Sequence, residues 1–209
     1  MTRAPLPLAA ALAGGLALAA ATPAAARMLG DAAISYRAER TVTVDGRSYT
    51  GPVFHAPGHE RHEQDLYGMH EVFLLDTEAD QGYLLLPSVH TYVAFPFPAL
   101  MAELDAPDLV RAPVGAETVS GIATTKYRID HVARDGSRAQ GFLWLSRSGV
   151  LMQLDVAVTR AHGGKPMAVR MTLAHLEAEP VDPALFVLPQ GYVKLPADAL
   201  GPLLGGRPG

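Results

Sequence analysis

Residues 34–45 alternate between two faces: Ile34, Tyr36, Ala38, Val42 and Val44 share one parity, and Ser35, Arg37, Glu39, Thr41, Thr43 and Asp45 the other. A period of two marks a strand with one face buried and one in water. Arg40 is the exception on the apolar parity. Asp45-Gly46 then supplies the positive-φ pair of a tight hairpin, which predicts a return strand over Arg47–Ala56. Further strands are predicted over His70–Asp76, Tyr83–Leu86, Tyr92–Phe95, Ile122–Ala133, Arg138–Ser146, Val150–Arg160 and Val169–Glu179, with Asp135-Gly136, Ser148-Gly149 and Gly163-Gly164 as turns. The last four read as a meander. In it Val150, Met152, Leu154, Val156 and Val158 share one face, as do Val169, Met171 and Leu173. Helical periodicity is nearly absent. Two short helices are predicted, Pro98–Asp105 and Asp182–Phe186, the second with Asp182 as N-cap and proline at its first position.

The fold class is therefore mainly β. A long antiparallel sheet buries its apolar face either by stacking on a second sheet or by curling on itself, and periodicity leaves both open. No repeat of solenoid or propeller period is visible.

The first residues add a location. Arg3, an apolar run over Leu8–Ala21 and the small residues Thr22-Pro23-Ala24-Ala25-Ala26 form a secretory signal peptide, with cleavage expected after Ala26. The apolar run is too short for a bilayer span, which takes roughly 20 apolar residues. Residues 27–195 then read as a single domain and residues 196–209 as a Gly/Pro-rich tail. Cysteine is absent, which excludes disulfides, thiolate metal sites and a lipid-acceptor cysteine after the cleavage point. No integral membrane segment is expected in the mature chain, so the reading is a soluble periplasmic protein. The net charge of −4 is spread along the chain without a basic cluster, which makes nucleic acid an unfavourable partner.

Several segments carry a resemblance. They are Gly51-Pro-Val-Phe-His-Ala-Pro-Gly-His-Glu-Arg61-His-Glu63, Leu86-Pro87 with Tyr92, Gly115-Ala-Glu117-Thr-Val-Ser-Gly121 with Tyr127, Gly141-Phe-Leu-Trp144-Leu-Ser, and Pro183-Ala-Leu-Phe186-Val-Leu-Pro189-Gln-Gly191-Tyr192. In that order they resemble the periplasmic lipoprotein-carrier-like (LolA/LolB-like) superfamily, nearer to its uncharacterised exported members. The resemblance implies a curved antiparallel sheet forming a half-barrel, one or two short helices as a lid, and an apolar cavity. It also implies that Arg61 and Glu63 form a structural ion pair. One position departs from the carriers: they place a basic residue before the proline of the second strand, and here Ala56 precedes Pro57.

Histidine is the most suggestive chemistry. His55, His59, His62 and His70 lie near Glu60, Glu63 and Asp65, and neutral imidazole is a good zinc, copper or nickel ligand. If residues 58–66 are extended, His59 and His62 point to opposite faces. The segment is accordingly expected to be a solvated, charged strand pair, with His55, His59 and His62 as the candidates should metal be bound. His131 and His175 lie on apolar parities. His62-Glu63 and His70-Glu71 lack the second histidine of a metalloprotease helix. No Gly-x-Ser-x-Gly elbow occurs, and Gly163-Gly164-Lys165 reads as a hairpin turn rather than a phosphate loop. No enzyme chemistry and no cofactor is expected. Trp144 reads as a packing anchor.

The function expected is a non-enzymatic periplasmic binding protein holding a lipid, acyl chain or lipidated segment on the concave apolar face. The candidate lining is Tyr36, Val42, Met152, Leu154, Val156, Met171 and Leu173. The alternative is a metal-binding or envelope-stress accessory protein using His55–His70, with envelope proteins as partners.

Overall fold

A computed structural model of the protein describes residues 32–66, 68–79, 81–96, 111–132, 136–160 and 163–196. The expected signal peptide, the helix expected at Pro98–Asp105 and all but the first residue of the tail lie outside them.

Among the described residues twelve strands form one open sheet. They are β1 (Tyr36–Val44), β2 (Arg47–Ala56), β3 (His59–Leu66), β4 (Met69–Asp76), β5 (Gln81–Leu86), β6 (Thr91–Pro96), β7 (Arg111–Val119), β8 (Ile122–Val132), β9 (Arg138–Ser146), β10 (Leu151–Thr159), β11 (Met167–Glu177) and β12 (Val193–Leu195). Their spatial order is β12-β6-β5-β4-β3-β2-β1-β11-β10-β9-β8-β7. Every pairing is antiparallel except β12 on β6. The first and last hairpin systems thus meet where β1 pairs with β11, Val42 opposite Met171.

The alternation read in the sequence places these strands well. Asp45 and Gly46 take positive φ values of 47° and 83° and join β1 to β2, and the meander β8–β11 is formed as expected. Two long strands lack that signal. His-Glu-Arg-His-Glu-Gln-Asp-Leu of β3 carries almost no apolar residue, and β7 is an exposed edge that tolerates Pro113 beside an irregular register.

Pairing also fixes the faces. Tyr36, Ala38, Arg40 and Val42 share what we call the inner face with Val53 and His55 of β2, Glu60, His62 and Gln64 of β3, and Glu71 and Phe73 of β4. Towards the other edge it continues through Met171, Leu154, Leu143 and Tyr127. Two glycines relieve crowding between neighbouring strands. A Cβ at Gly51 would run into the backbone of Glu63, and one at Gly141 into the backbone at Asp155. Such close approaches accompany strong coiling of a sheet.

Strands β4–β6 are apolar on both faces. Outside, Val72, Leu74 and Leu85 pack with Tyr83, Tyr92, Leu188 and Tyr192, so the C-terminal segment lies over them. Helix among the described residues is confined to two 3₁₀ turns, Pro87–Val89 and Pro183–Phe186. The second begins as expected, with the Ala184 N–H donating to the Asp182 carboxylate at 2.9 Å. It does not serve as a lid on the inner face. Phe186 stacks on His59, and the Leu185 carbonyl accepts from Arg61 at 3.2 Å, both on the outer face of β3. The turn cannot lengthen, because Val187 is extended and a proline follows at 189. No helix of the described residues is long and apolar enough to cross a membrane.

Candidate functional site

The inner face divides into an apolar floor and a polar row. The floor comes from β1 and β8–β11. Tyr36, Met152, Leu154, Val156, Met171 and Leu173 are buried in one cluster with Leu143, Ile129 and Ala139, and Val42 packs half-buried at its margin. All seven residues singled out by parity are therefore neighbours. Period-two alternation brings them inward, and the register sets Leu154 opposite Met171 and Leu143. Val42, Met167 and Val169 make a half-exposed apolar rim.

The polar row crosses β1–β6. Arg40 stands opposite Gly51, Gln64 opposite Glu71, and Leu86 opposite Thr91. With no side chain at Gly51, Arg40 reaches across β2 to Glu60, meeting it in a two-pronged ion pair at 2.5 and 2.7 Å. The two side chains are only 15% and 13% exposed. Burial opposes both charges, but each holds the other: the Arg40 pKa is raised and the Glu60 pKa lowered from their ordinary values. His62 is 7% exposed. Burial first, and then the Arg40 guanidinium, push it down to about 4, against the opposing pull of Glu60, so it is neutral at neutral pH. Glu71 is wholly buried, and burial raises its carboxyl above the usual carboxylate range while Gln64, donating at 3.0 Å, draws it back.

Five polar atoms of this row make no hydrogen bond of good geometry among the described residues: Arg40 Nε, both ring nitrogens of His62, Glu71 Oε1 and Thr91 Oγ1. The His62 ring has only weaker interactions with the Gln64 side chain and the Pro52 backbone, and Arg40 with Tyr36. A buried polar atom left unpaired costs about 1–3 kcal/mol, and native folds carry few. The five fall on neighbouring inward positions of β1, β3, β4 and β6.

The expectation of a solvated, charged strand pair is corrected here. Glu60, His62 and Gln64 point inward, where His62 is buried and Glu60 is largely covered by Arg40, while His59, Arg61, Glu63 and Asp65 face outward and stay partly or fully exposed. The opposite-parity reading of His59 and His62 matches the placement. His55 is buried on the inner face, stacked 4.8 Å from Tyr36 with Nε2 at 3.0 Å from the Ala32 carbonyl, whereas His59 lies outside against Phe186. Among the described residues no three His, Asp or Glu side chains are grouped so as to hold a metal ion. Arg61 and Glu63 pair at 2.7 Å on the outer face, where Glu63 also lies 3.4 Å from His70. Sequence reasoning missed Glu60 and Glu71 as site residues. The usable signals were Arg40 on an apolar parity and Glu71 in step with Phe73 and Leu75.

A separate groove of about 320 Å³ on the outer face is bordered by Arg37, Pro52, Phe54, His175 and Glu177. His175 has a φ of 53° where the β1–β11 register shifts. Arg37 is already committed there to Glu177 and Glu179.

No protein-family model matches the chain, and no curated protein matches it. Solved structures do. An uncharacterized conserved protein from Thermus thermophilus aligns with a TM-score of 0.52 at 9% identity, over 79% of this chain and 92% of that one. A chain of the Pseudomonas aeruginosa MucA/MucB complex aligns at 0.47 and 17% identity, over 74% of this chain and 56% of that one. This protein thus spans just over half of that chain's length. A LolA superfamily protein from Nitrosomonas europaea aligns at 0.40 and 9% identity, over 74% and 90%. At such identities the likeness is one of fold alone.

Proposed function

We propose that the protein is a periplasmic, non-enzymatic binding protein, that its sheet curves into a half-barrel, and that the inner face holds a lipid, acyl chain or lipidated segment. One observation carries the reading. A single sheet face gathers Tyr36, Met152, Leu154, Val156, Met171 and Leu173 into one apolar cluster that opens at the half-exposed rim of Val42, Met167 and Val169. Apolar area removed from water stabilises an acyl chain by about 25 cal/mol per Å², so a floor of this kind needs no specific contact along the chain. Met152 and Met171 suit it, because unbranched thioether side chains repack around irregular apolar ligands.

The signal-peptide pattern of Arg3–Ala26 supports export, and the absence of cysteine supports a soluble species rather than a lipid-anchored one. Ala56, standing where the carriers have a basic residue, supports binding without the carriers' manner of shuttling.

The test is native mass spectrometry and solvent extraction of protein purified from its own periplasm. A reproducible amphiphile at near-stoichiometric level is expected. A protein that is consistently empty, and that takes up no acyl chain when offered, overturns the reading.

A further inference from the structure

The polar row lies on the same face as the apolar floor and touches it. Arg40 and Val42 are successive inward positions of β1, so the ion-paired guanidinium stands next to the apolar rim. From there the unpaired atoms run across β3, β4 and β6 at His62, Glu71 and Thr91. Resting on the reading above, we propose that this row is the head-group subsite of an amphiphile, and that the head it takes is uncharged and rich in hydrogen-bonding groups, such as the glycerol ester of a monoacylglycerol.

The chemistry of the row selects that head. Arg40 turns both terminal nitrogens to Glu60, and its Nε–H is the guanidinium nitrogen with no acceptor of good geometry. Neutral His62 offers one N–H donor and one nitrogen acceptor, and Glu71 Oε1 and Thr91 Oγ1 are the remaining unpaired oxygens. A carbonyl and two hydroxyls satisfy such a mixed set. A phosphate or free carboxylate would be desolvated beside Glu60 and Glu71, with the one nearby cation already neutralised. An ammonium would meet Arg40. A site with both buried donors and buried acceptors discriminates strongly against a ligand lacking the matching groups.

The acyl chain of the same molecule leaves the row at Arg40 and runs over Val42 onto the floor. Head and tail are then read by adjacent parts of one strand.

The experiment uses the mature chain and three probes with the same sixteen-carbon tail: monopalmitoylglycerol, palmitate and lysophosphatidate. Each competes against a fluorescent fatty-chain reporter. Monopalmitoylglycerol is expected to bind at least about tenfold tighter than either charged probe. His62→Leu and Glu71→Leu are each expected to weaken monopalmitoylglycerol about tenfold and to leave palmitate unchanged; Glu71→Leu also strands the Gln64 amide, so a lower melting temperature accompanies it. The ranking of the three probes on the wild-type chain serves if either variant fails to fold.

Equal or tighter binding of a charged probe overturns the subsite. So does unchanged monopalmitoylglycerol affinity in well-folded variants, which assigns the unpaired atoms to buried water. In both cases the acyl-binding reading survives. If the wild type binds none of the three probes, that reading falls and the subsite with it.

Discussion

The two parts of the inner face are built from the same kind of strand and solve burial differently. On β8–β11 the inward positions are mostly apolar, His131 being an exception, and packing dominates, with Leu143, Met152 and Leu173 fully buried. On β2–β4 the inward positions include Glu60, His62, Gln64 and Glu71, which must find partners or carry a cost. The apolar part is tolerant in composition but sensitive to volume. The polar part is the reverse: its side chains are held by charge balance and hydrogen bonds, and removing one member strands another. A protein selected for stability alone would have extended the first solution across the sheet.

The largest break in this comparison is expected at the ion pair. Arg40→Met leaves Glu60 buried without its cation and is expected to cost about 3–5 kcal/mol in urea unfolding. Arg40→Met combined with Glu60→Leu is expected to recover most of that loss, because two apolar groups replace the pair with no charge left over. In the floor, Leu143→Ala is expected to cost about 3 kcal/mol through lost burial and the remaining cavity. No second substitution at a polar position will rescue it. If the Arg40 variant proves milder than the Leu143 variant, the row is wetter than its burial indicates.

Acid separates the two parts further. His62 is held at about 4 in the fold against an ordinary 6.5. A histidine whose folded pKa is depressed contributes its full stability above 6.5, and that contribution is lost as pH falls from 6.5 to about 4. The loss amounts to up to about 3 kcal/mol. Glu60, lowered by Arg40, adds to the loss below its ordinary value of 4.5. Glu71, raised by burial, works the other way: its contribution is present at low pH and disappears as pH rises through its folded value. Chemical unfolding between pH 7 and pH 4 is therefore expected to show falling stability in the wild type and a much shallower fall in His62→Leu. An unchanged slope in that variant assigns the acid sensitivity elsewhere.

The difference between the two parts also explains what could be read in advance. Strands β1, β10 and β11 alternate cleanly, so parity alone collected Tyr36, Met152, Leu154, Val156, Met171 and Leu173 on one face, and Asp45-Gly46 marked the hairpin. Parity fails on β3 because both of its faces are polar: hydrophobicity cannot tell a buried glutamate from a solvated one. What buries Glu60 is a partner on β1 reached over Gly51, a contact between strands that are not paired with each other. Arg40 on an apolar parity was the single visible mark of it. β7 was missed for a different reason, since an edge strand exposed on both faces needs no alternation.

The sharpest comparison is within β3 itself, where neighbouring residues belong to different environments. His59, Arg61 and Glu63 face outward: His59 stacks on Phe186, and Arg61 bridges Glu63 and the Leu185 carbonyl. These contacts anchor the C-terminal segment from outside and touch neither the row nor the floor. Ring stacking is worth about 1 kcal/mol or less, and His59 takes no part in the Arg61–Glu63 ion pair. His59→Ala is accordingly expected to lower stability by under about 1 kcal/mol and to leave the acid limb of the unfolding profile where it was. His62, three residues on, is expected to set that limb. If His59→Ala shifts the acid limb as far as His62→Leu does, the two faces of β3 are not energetically separate, and the division between polar row and outer anchor fails with them.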